Sequence, residues 1–221
     1  MSDERGNAWP LVTCVCLTRN RREFLPRAIE CFRGQTYEPR ELLVLDDSDA
    51  ESVADLCVGV EFTGHVWAAY VRVPRLVFGA KRNRGMALAT GQICANWDDD
   101  DWSAPGRLMD QVERLVLGHQ AVTGYHNMRF TDGPHWWFYD GAAGFALDTS
   151  LAYWRAWGLE HPYPVQQLGA DGVFIRGAAQ LGQLSTVPGG DLMWASVHEG
   201  NTSPRKVGTG CYRECEAPCL V

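Results

Sequence analysis

The sequence has no apolar run long enough to cross a membrane and no excess of basic residues. The apolar stretch at residues 11–17 is too short for a membrane span, and the polar segment before it does not resemble a signal peptide. Twenty Lys and Arg against 27 Asp and Glu give a formal net charge of −7, which is unlike a protein that coats nucleic acid. We therefore expect a cytoplasmic protein without a membrane anchor. Its oligomeric state cannot be predicted from these features.

The chain also lacks internal repeats, low-complexity linkers and a Cys-x-x-Cys pair. Its 221 residues are enough for one good-sized core. A hydrophobic content of 46% and a charged content of 21% are those of an ordinary globular domain. These bounds predict a single compact domain over residues 1–221.

The eight cysteines fall into two groups. Those inside apolar stretches are expected to be small core residues: Cys14, Cys16, Cys31, Cys57 and Cys94. The others, Cys211, Cys215 and Cys219, lie in a polar tail at residues 204–221, with a spacing looser than that of common zinc knuckles. A Zn²⁺ site completed by a histidine and a frayed terminus with free thiols both stay open, and the second is the simpler interpretation.

Strand and helix patterns alternate over residues 11–117, which is typical of a mainly parallel α/β sheet flanked by helices. Apolar, β-branched runs predict strands at 11–18, 41–45, 66–73 and 92–97. Helices are predicted at 22–32, 51–57, 78–90 and 105–117. After residue 120 the chain becomes rich in aromatics, with helices predicted at 147–157 and 171–181 and short strands at 184–187 and 192–197.

Four consecutive aspartates, residues 98–101, follow the fourth predicted strand. Adjacent carboxylates repel one another, so the run favours a bound cation or a network of donors. Alternation at a strand end would place Asp98 and Asp100 on one side and Asp99 and Asp101 on the other. Two converging carboxylates suit a hard ion such as Mg²⁺ or Mn²⁺. The alternative is a solvated acidic loop or a helix N-cap cluster.

Polar residues also end the first two predicted strands. Thr18 ends the first, and Asp46 and Asp47 end the second. Ligands of parallel sheets bind beyond the carboxyl ends of the strands. We therefore expect these residues and the aspartate run to line one crevice.

Taken in order, the segments resemble family 2 glycosyltransferases with the A-type nucleotide-sugar fold, over roughly residues 11–203. Residues 12–20, 35–37, 41–48, 79–85, 89–92 and 98–101 are similar to the family's VSVVIPTYNR, QTY, EIIVVDDGS, G-x-x-x-A-R-N-x-G, A-x-G-E and D-x-D-D segments. The chain departs at Arg19, where a tyrosine is common, and at Ala170, where the family has a glutamate. The resemblance implies a Rossmann-like nucleotide-binding half at 11–117 and a smaller acceptor half at 118–203.

The resemblance also implies an inverting, metal-dependent transfer of a sugar from a nucleotide sugar. Donor contacts are implied for Thr18, Asn20, Asp47, Arg82, Asp98 and Asp99. A carboxylate such as Asp47 accepts the imide N–H of uracil, which favours a UDP-sugar. Metal ligands are implied at Asp98, Asp100 and His198, and an imidazole among carboxylates shifts the preference from Mg²⁺ towards Mn²⁺.

The general base implied by the resemblance is Asp171, with Asp191, Asp140 and Asp132 as weaker alternatives. The aromatic residues Trp136, Trp137 and Tyr125 are candidates for stacking against an acceptor. The acceptor is expected to be soluble: a saccharide, a natural product, a protein side chain or a modified DNA base, the last fitting the net charge poorly.

The alternatives to a glycosyltransferase are a nucleotidyltransferase on a related fold and a carbohydrate-binding protein without catalytic activity. A nucleotidyltransferase would favour a glycine-rich loop after the first strand, whereas residues 18–22 contain no glycine. A non-catalytic carbohydrate-binding relative would keep the fold, and substitution of Asp171 would not change its behaviour.

Overall fold

A computed structural model describes residues 9–49, 51–57, 68–201 and 207–218. The strands are β1 (Val12–Thr18), β2 (Arg40–Asp46), β3 (Ala68–Arg72), β4 (Ile93–Asp98), β5 (Trp102–Ser103), β6 (Val122–Thr131), β7 (Trp136–Asp140), β8 (Ala152–Trp154), β9 (Leu184–Pro188), β10 (Met193–Ser196) and β11 (Tyr212–Glu214). The helices are α1 (Leu25–Arg33), α2 (Ala54–Cys57), α3 (Phe78–Leu88), α4 (Arg107–Gly118), α5 (Arg155–Glu160) and α6 (Ala170–Gln180), with a 3₁₀ turn at Asp148–Ser150.

All the strands belong to one sheet, whose main path runs β11-β7-β6-β8-β4-β1-β2-β3. The predicted parallel part is confirmed, because β1 pairs in parallel with both β2 and β4, and β2 with β3. The register aligns Thr18 with Asp46 and Leu17 with Asp98. The carboxyl ends of β1, β2 and β4 are therefore level, and the side chains that follow them share one edge of the sheet.

The other part of the sheet is mixed. β8 joins the two parts by pairing antiparallel with both β4 and β6, and β7 and β11 extend the sheet as antiparallel neighbours of β6. β9 and β10 pair in parallel with β6, and β10 also pairs antiparallel with β5. The division into halves at residue 118, and the single-domain assignment, stay predictions.

Helices cover both faces of the parallel strands, as the amphipathic patterns predict. Along β1, Cys14 and Cys16 belong to the core beneath α1 and α4, whereas Val15 belongs to the core beneath α3 and α6. The near-continuous apolar sequence of β1 follows from this, because a strand covered on both faces needs apolar residues at every position. A third, smaller core lies between β6 and β10 and includes Tyr125 and Phe130.

The predicted helix at 147–157 is wrong. The chain there forms the 3₁₀ turn, then β8, and only then α5. The apolar run Leu151–Trp154 has the length of a short strand, and the open edges of β4 and β6 give its backbone groups partners. The other predicted elements exist with ends shifted by a few residues, although Val66, in the third predicted strand, lies outside the described residues.

No helix in the described ranges is long and apolar enough to span a bilayer. The predicted cytoplasmic location is not tested by this observation.

Candidate active site

Three carboxylates converge beyond the end of β4. One oxygen from each of Asp98, Asp100 and Asp101 lies within 4.8 Å of the others. The strand ends at Asp98 and the chain turns at once, so the alternation of a strand does not continue through the run. The prediction that Asp101 lies on the other side from Asp98 and Asp100 is therefore wrong: Asp101 belongs to the cluster, and Asp99 does not.

Charge at Asp98 is balanced by a buried guanidinium. Although burial pushes the pKa of Asp98 upwards, the charge of Arg82 and its 2.8 Å hydrogen bond to Asp98 Oδ1 hold that pKa below its usual value. The same Arg82 nitrogen donates to Asp148 Oδ2 at 2.8 Å. Asp98 is thus kept as an anion, the form that a cation requires.

Asp101 is held rigidly by neutral donors. Thr149 donates its hydroxyl to Asp101 Oδ2 at 2.5 Å, and the Ser196 N–H donates to Oδ1 at 3.0 Å. Burial, with the charges of Asp100 and Asp98, raises the pKa of Asp101 well above its usual value. Its carboxyl group ties the cluster to β10 and to the 3₁₀ turn.

Arg21 connects Asp99 and Asp100. Its Nη1 lies 3.2 Å from Asp99 Oδ1 and 3.1 Å from Asp100 Oδ2. Burial raises the pKa of Asp99 to about 7, and the neighbouring charge of Asp100 adds to this effect. Arg21 also donates to the backbone oxygen of Gly200, which ties the β1–α1 loop to the segment after β10.

His198 meets the cluster from that segment. Its Nε2 lies 2.9 Å from Asp100 Oδ2, and its ring stacks on Phe24 at 4.4 Å between centroids. The Gly200 N–H donates to Nδ1, so the ring proton of the neutral imidazole lies on Nε2 and points at Asp100. A cation bound at Nε2 would displace this proton to Nδ1 and remove the bond from Gly200.

These residues fit a divalent cation. The cluster offers three carboxylates within ligand distance of one another, and an imidazole contacts one of them. Oxygen ligands suit Mg²⁺, and the added nitrogen ligand also suits Mn²⁺. Among the described residues, no other group of three or more acidic, histidine or cysteine side chains has this geometry.

A first cavity, the strand-end cavity, lies beyond β1 and β2. Its lining includes Thr18, Asp47, Lys81, Arg82 and Asp99. Lys81 Nζ lies 2.5 Å from Asp47 Oδ1 and donates to the Thr18 carbonyl at 2.7 Å. This buried lysine joins two of the predicted donor contacts.

Asn20 has a structural position between the same two strand ends. Its N–H donates to Ser48 Oγ at 2.8 Å, and its Oδ1 accepts from the Asp49 N–H at 3.0 Å. Its φ of 51° is in the left-handed region, which asparagine tolerates better than most residues. Asn20 fixes the shape of the loop, and its side-chain oxygen is already engaged.

A second cavity, the aromatic cavity, opens beside the first. Arg21, Phe78, Asp98 and Gln167 line both. Its other lining residues include four aspartates and four aromatic residues. The aspartates are Asp100, Asp101, Asp148 and Asp171, and the aromatic residues are Phe130, Tyr139, Phe145 and Tyr212. Asp171, in the first turn of α6, thus lines the same cavity as the acidic cluster.

Asp148 is a site residue that the sequence pattern did not identify. Besides Arg82, it contacts Tyr163, whose hydroxyl lies 3.1 Å from Asp148 Oδ1. Burial raises its pKa, and the charge of Arg82 only partly opposes this. No local signal in the sequence identifies it, because residues 147–157 were predicted to be a helix. The contact with Arg82 depends on the 3₁₀ turn that forms there instead.

The alternative bases lie elsewhere. Each is partnered by a cationic or imidazole side chain: Asp191 by Arg129, Asp140 by Arg213 and Asp132 by His135. None of the three aspartates lines either cavity. Of the four candidate bases, Asp171 alone lines the same cavity as the acidic cluster.

The predicted acceptor aromatics are not brought together at the site. Tyr125 has no exposed surface, and its hydroxyl donates to Asp110 at 2.9 Å, so it belongs to the core. Trp136 packs against Trp194, and Trp137 is 9% exposed. None of the three predicted residues lines either cavity. Tyr139 of β7 lines the aromatic cavity, and alternation places Trp136 on the other face of that strand.

The five cysteines predicted for the core are all buried. Cys211 and Cys215 flank β11, and an extended strand separates residues four apart by about 13 Å, too far for direct bonds to one Zn²⁺. The structure does not bring these two thiols together. Cys219 lies outside the described residues.

With this geometry established, comparison with known proteins is decisive for the family. The model of the family described as "Glycosyl transferase family 2" matches residues 13–170. The chain belongs to this glycosyltransferase family. The match covers the neighbouring strands β1 to β4 from Thr13 onwards, the acidic cluster and the first residue of α6, but it ends before β9, β10 and β11.

Several curated relatives carry glycosyltransferase names. The chain is 23% identical to "Uncharacterized glycosyltransferase alr2836" of Nostoc sp. over 86% of its length and 66% of the relative's. It is 25% identical to "Amylovoran biosynthesis glycosyltransferase AmsB" of Erwinia amylovora over 50% of its length and 36% of the relative's. The chain therefore spans less than two thirds of the length of these glycosyltransferases.

Solved structures agree on the fold. S. aureus TarS 1–349 in complex with UDP-GlcNAc superposes with a TM-score of 0.70 at 16% identity, covering 86% of this chain and 60% of that one. The mannosyltransferase PcManGT from Pyrobaculum calidifontis, in complex with GDP-Man and Mn²⁺, gives a TM-score of 0.69 at 16% identity, covering 88% and 59%. The chain has the A-type fold of these glycosyltransferases.

Proposed function

We propose that this protein is an inverting, metal-dependent glycosyltransferase that takes a sugar from a nucleotide sugar. The observation that supports the proposal is that Asp171 lines the same cavity as the converging carboxylates of Asp98, Asp100 and Asp101. A cation site and a free-standing carboxylate are the two groups that displacement at an anomeric carbon requires.

The reaction follows from this arrangement. An acceptor hydroxyl forms a bond to the anomeric carbon while the bond from that carbon to the diphosphate oxygen breaks on the opposite face. Asp171 takes the hydroxyl proton, and the configuration at the anomeric carbon inverts. A divalent ion, held by Asp98, Asp100 and His198, would neutralise the charge that develops on the departing diphosphate.

The strand-end cavity is the proposed nucleotide site, with Thr18, Asp47 and Asp99 as contacts. Neighbouring structures hold UDP-GlcNAc in one case and GDP-Man with Mn²⁺ in another, so both nucleotides occur on this fold. We favour a UDP-sugar because Asp47 is a carboxylate able to accept the imide N–H of uracil. Arg82 is proposed to act near the phosphates by fixing Asp98 rather than as an exposed cation, since it is 1% exposed.

The test is a panel of UDP- and GDP-sugars, read by release of free nucleotide in Mn²⁺, in Mg²⁺ and in chelator. We expect slow release from one UDP-sugar, loss of release in chelator, and loss in Asp100→Ala. Asp191→Ala is the matched control, because this aspartate is 68% exposed at its side chain and lines neither cavity. Equal release with and without divalent ions would contradict the metal-dependent mechanism.

Two further readouts separate the parts of the proposal. The anomeric configuration of the product, read by NMR, reports inversion, and a product with retained configuration would exclude Asp171 as a simple base. Asp171→Asn separates an enzyme from a carbohydrate-binding relative: it should bind Mn²⁺ and donor normally yet release almost no nucleotide. Unchanged behaviour of this variant would favour the binding protein.

A further inference from the structure

Three of the rings that line the aromatic cavity lie on one face of adjacent strands. In the sheet register, Tyr212 of β11 lies opposite Tyr139 of β7, and Phe130 of β6 lies opposite Trp137, two residues from Tyr139. Residues two apart on a strand share a face. Tyr212, Tyr139 and Phe130 therefore project to the same side, and all three line the aromatic cavity.

The rings support one another. Tyr212 packs against Phe130 at 5.2 Å between centroids with an interplanar angle of 78°, and against Tyr139 at 5.0 Å and 55°. Phe130 is fully buried, whereas Tyr139 and Tyr212 are partly exposed. Phe130 thus forms a fixed base, on which the two tyrosines present ring surface to the cavity.

The charge of the cavity selects among ligands. Five aspartates line it: Asp98, Asp100, Asp101, Asp148 and Asp171. Among the described lining residues the one cationic side chain is Arg21, which already contacts Asp99 and Asp100. The buried guanidinium of Arg82 contacts Asp98 and Asp148 and offsets part of their negative charge. Together with the diphosphate of a bound donor, these carboxylates would carry more negative charge than Arg21, Arg82 and a divalent ion carry positive charge, so a phosphorylated acceptor would be repelled.

We propose that Tyr212, Tyr139 and Phe130 form the acceptor subsite, and that its ligand is a neutral pyranoside whose apolar C–H face packs on the two tyrosines. This inference rests on the proposed function, because it places the acceptor hydroxyl between these rings and Asp171. It assigns a binding role to β11, which lies beyond the part of the chain that the family model matches.

The experiment uses saturating donor and Mn²⁺, with methyl pyranosides and their 6-phosphates as acceptors. The variants are Tyr212→Leu, which removes the ring, Tyr212→Phe, which keeps it, and Trp136→Leu, a control on β7 that lines neither cavity. We expect Tyr212→Leu to raise the acceptor KM about tenfold while the donor KM and acceptor-free hydrolysis stay within about twofold. Tyr212→Phe and Trp136→Leu should match the wild type.

Two results would overturn the subsite. One is a raised donor KM in Tyr212→Leu with an unchanged acceptor KM, because the rings would then hold the donor sugar. The other is equal use of the 6-phosphates and the neutral pyranosides, because the acidic cavity would then not select by charge. Melting temperatures of all variants identify any loss that comes from unfolding.

Failure of the proposed function is distinguishable from failure of the subsite. If the wild type releases no nucleotide from any donor, the transfer proposal falls, and the subsite is judged by saturation-transfer NMR with methyl pyranosides alone. Transfer of saturation from the protein to the pyranoside ring protons in the wild type and in Trp136→Leu, but not in Tyr212→Leu, would support the subsite. No saturation in the wild type would refute it.

Discussion

The two cavities of this molecule are built in opposite ways. Buried charge dominates the strand-end cavity, where Lys81 pairs with Asp47 and Arg82 with Asp98 at the ends of parallel strands. Ring packing dominates the far wall of the aromatic cavity, where Phe130, Tyr139 and Tyr212 come from antiparallel strands. Fixed charges orient one invariant kind of group, whereas an aromatic surface accepts many ring shapes. The difference suits the proposed donor site, which would hold one kind of nucleotide, beside a proposed acceptor subsite that would admit pyranosides of different shape.

The largest expected effect is the loss of transfer activity when the proposed base, Asp171, is replaced. Asp171→Asn should lower the transfer rate by roughly 10²–10⁴-fold, because the amide cannot take the acceptor proton. Mn²⁺ affinity, measured by electron paramagnetic resonance, should be unchanged in this variant and lost in Asp100→Asn. Loss of Mn²⁺ binding in Asp171→Asn would mean that this aspartate belongs to the cation site instead.

Arg82→Met tests whether buried charge holds the strand-end side together. Removing the guanidinium leaves Asp98 and Asp148 buried without their cation, so unfolding should become easier by about 3–5 kcal/mol. Urea denaturation gives this number. A loss below about 1 kcal/mol would show that the two carboxyl groups are already protonated in the folded protein.

Packing against the parallel strands gives a smaller effect of definite sign. A Cβ at Gly85 in α3 would lie 2.4 Å from Val15 Cγ1, so Gly85→Ala should destabilise by about 1–3 kcal/mol. The matched variant is Gly177→Ala in α6, where a Cβ meets nothing within 4 Å and helix propensity favours alanine by up to about 1 kcal/mol. Changes of the same sign in thermal melts of both variants would contradict this packing.

The smallest effect is expected at the exposed ion pair between Arg129 and Asp191. Both the cation and the anion resemble those of the Arg82 pair, but the Asp191 side chain is 68% exposed. Asp191→Asn should therefore change the free energy of unfolding by no more than about 1 kcal/mol. If Asp191→Asn lowered the free energy of unfolding as much as Arg82→Met does, burial would not determine how strongly an ion pair stabilises this protein.

The same division explains what the sequence predicts and what it does not. The parallel strands, their helices and the family are predictable, because apolar runs and strand-end aspartates are local signals in a fixed order. The sequence predicts a cation site with Asp98, Asp100 and His198, and the turn after β4 also brings Asp101 to the side of the first two. Turn geometry at a strand end depends on partners such as Thr149 and Ser196, which lie far away in sequence.

The aromatic cavity was the harder part. The run at 135–139 predicts an aromatic surface, but only Tyr139 of this run lines the aromatic cavity, whereas Trp136 packs against Trp194. No local signal in the sequence predicts a binding role for Tyr212, because the most prominent feature of the tail around it is its three cysteines. Only the pairing of β11 with β7 aligns it with Tyr139.

Among the described strands, β11 is the outermost on its side of the sheet, and none of its residues belongs to the acidic cluster or lines the strand-end cavity. Under the proposed function, replacing its three residues would alter one wall of the aromatic cavity and leave the proposed cation and donor sites unchanged. Acceptor preference could then be redesigned by exchanging one short edge strand.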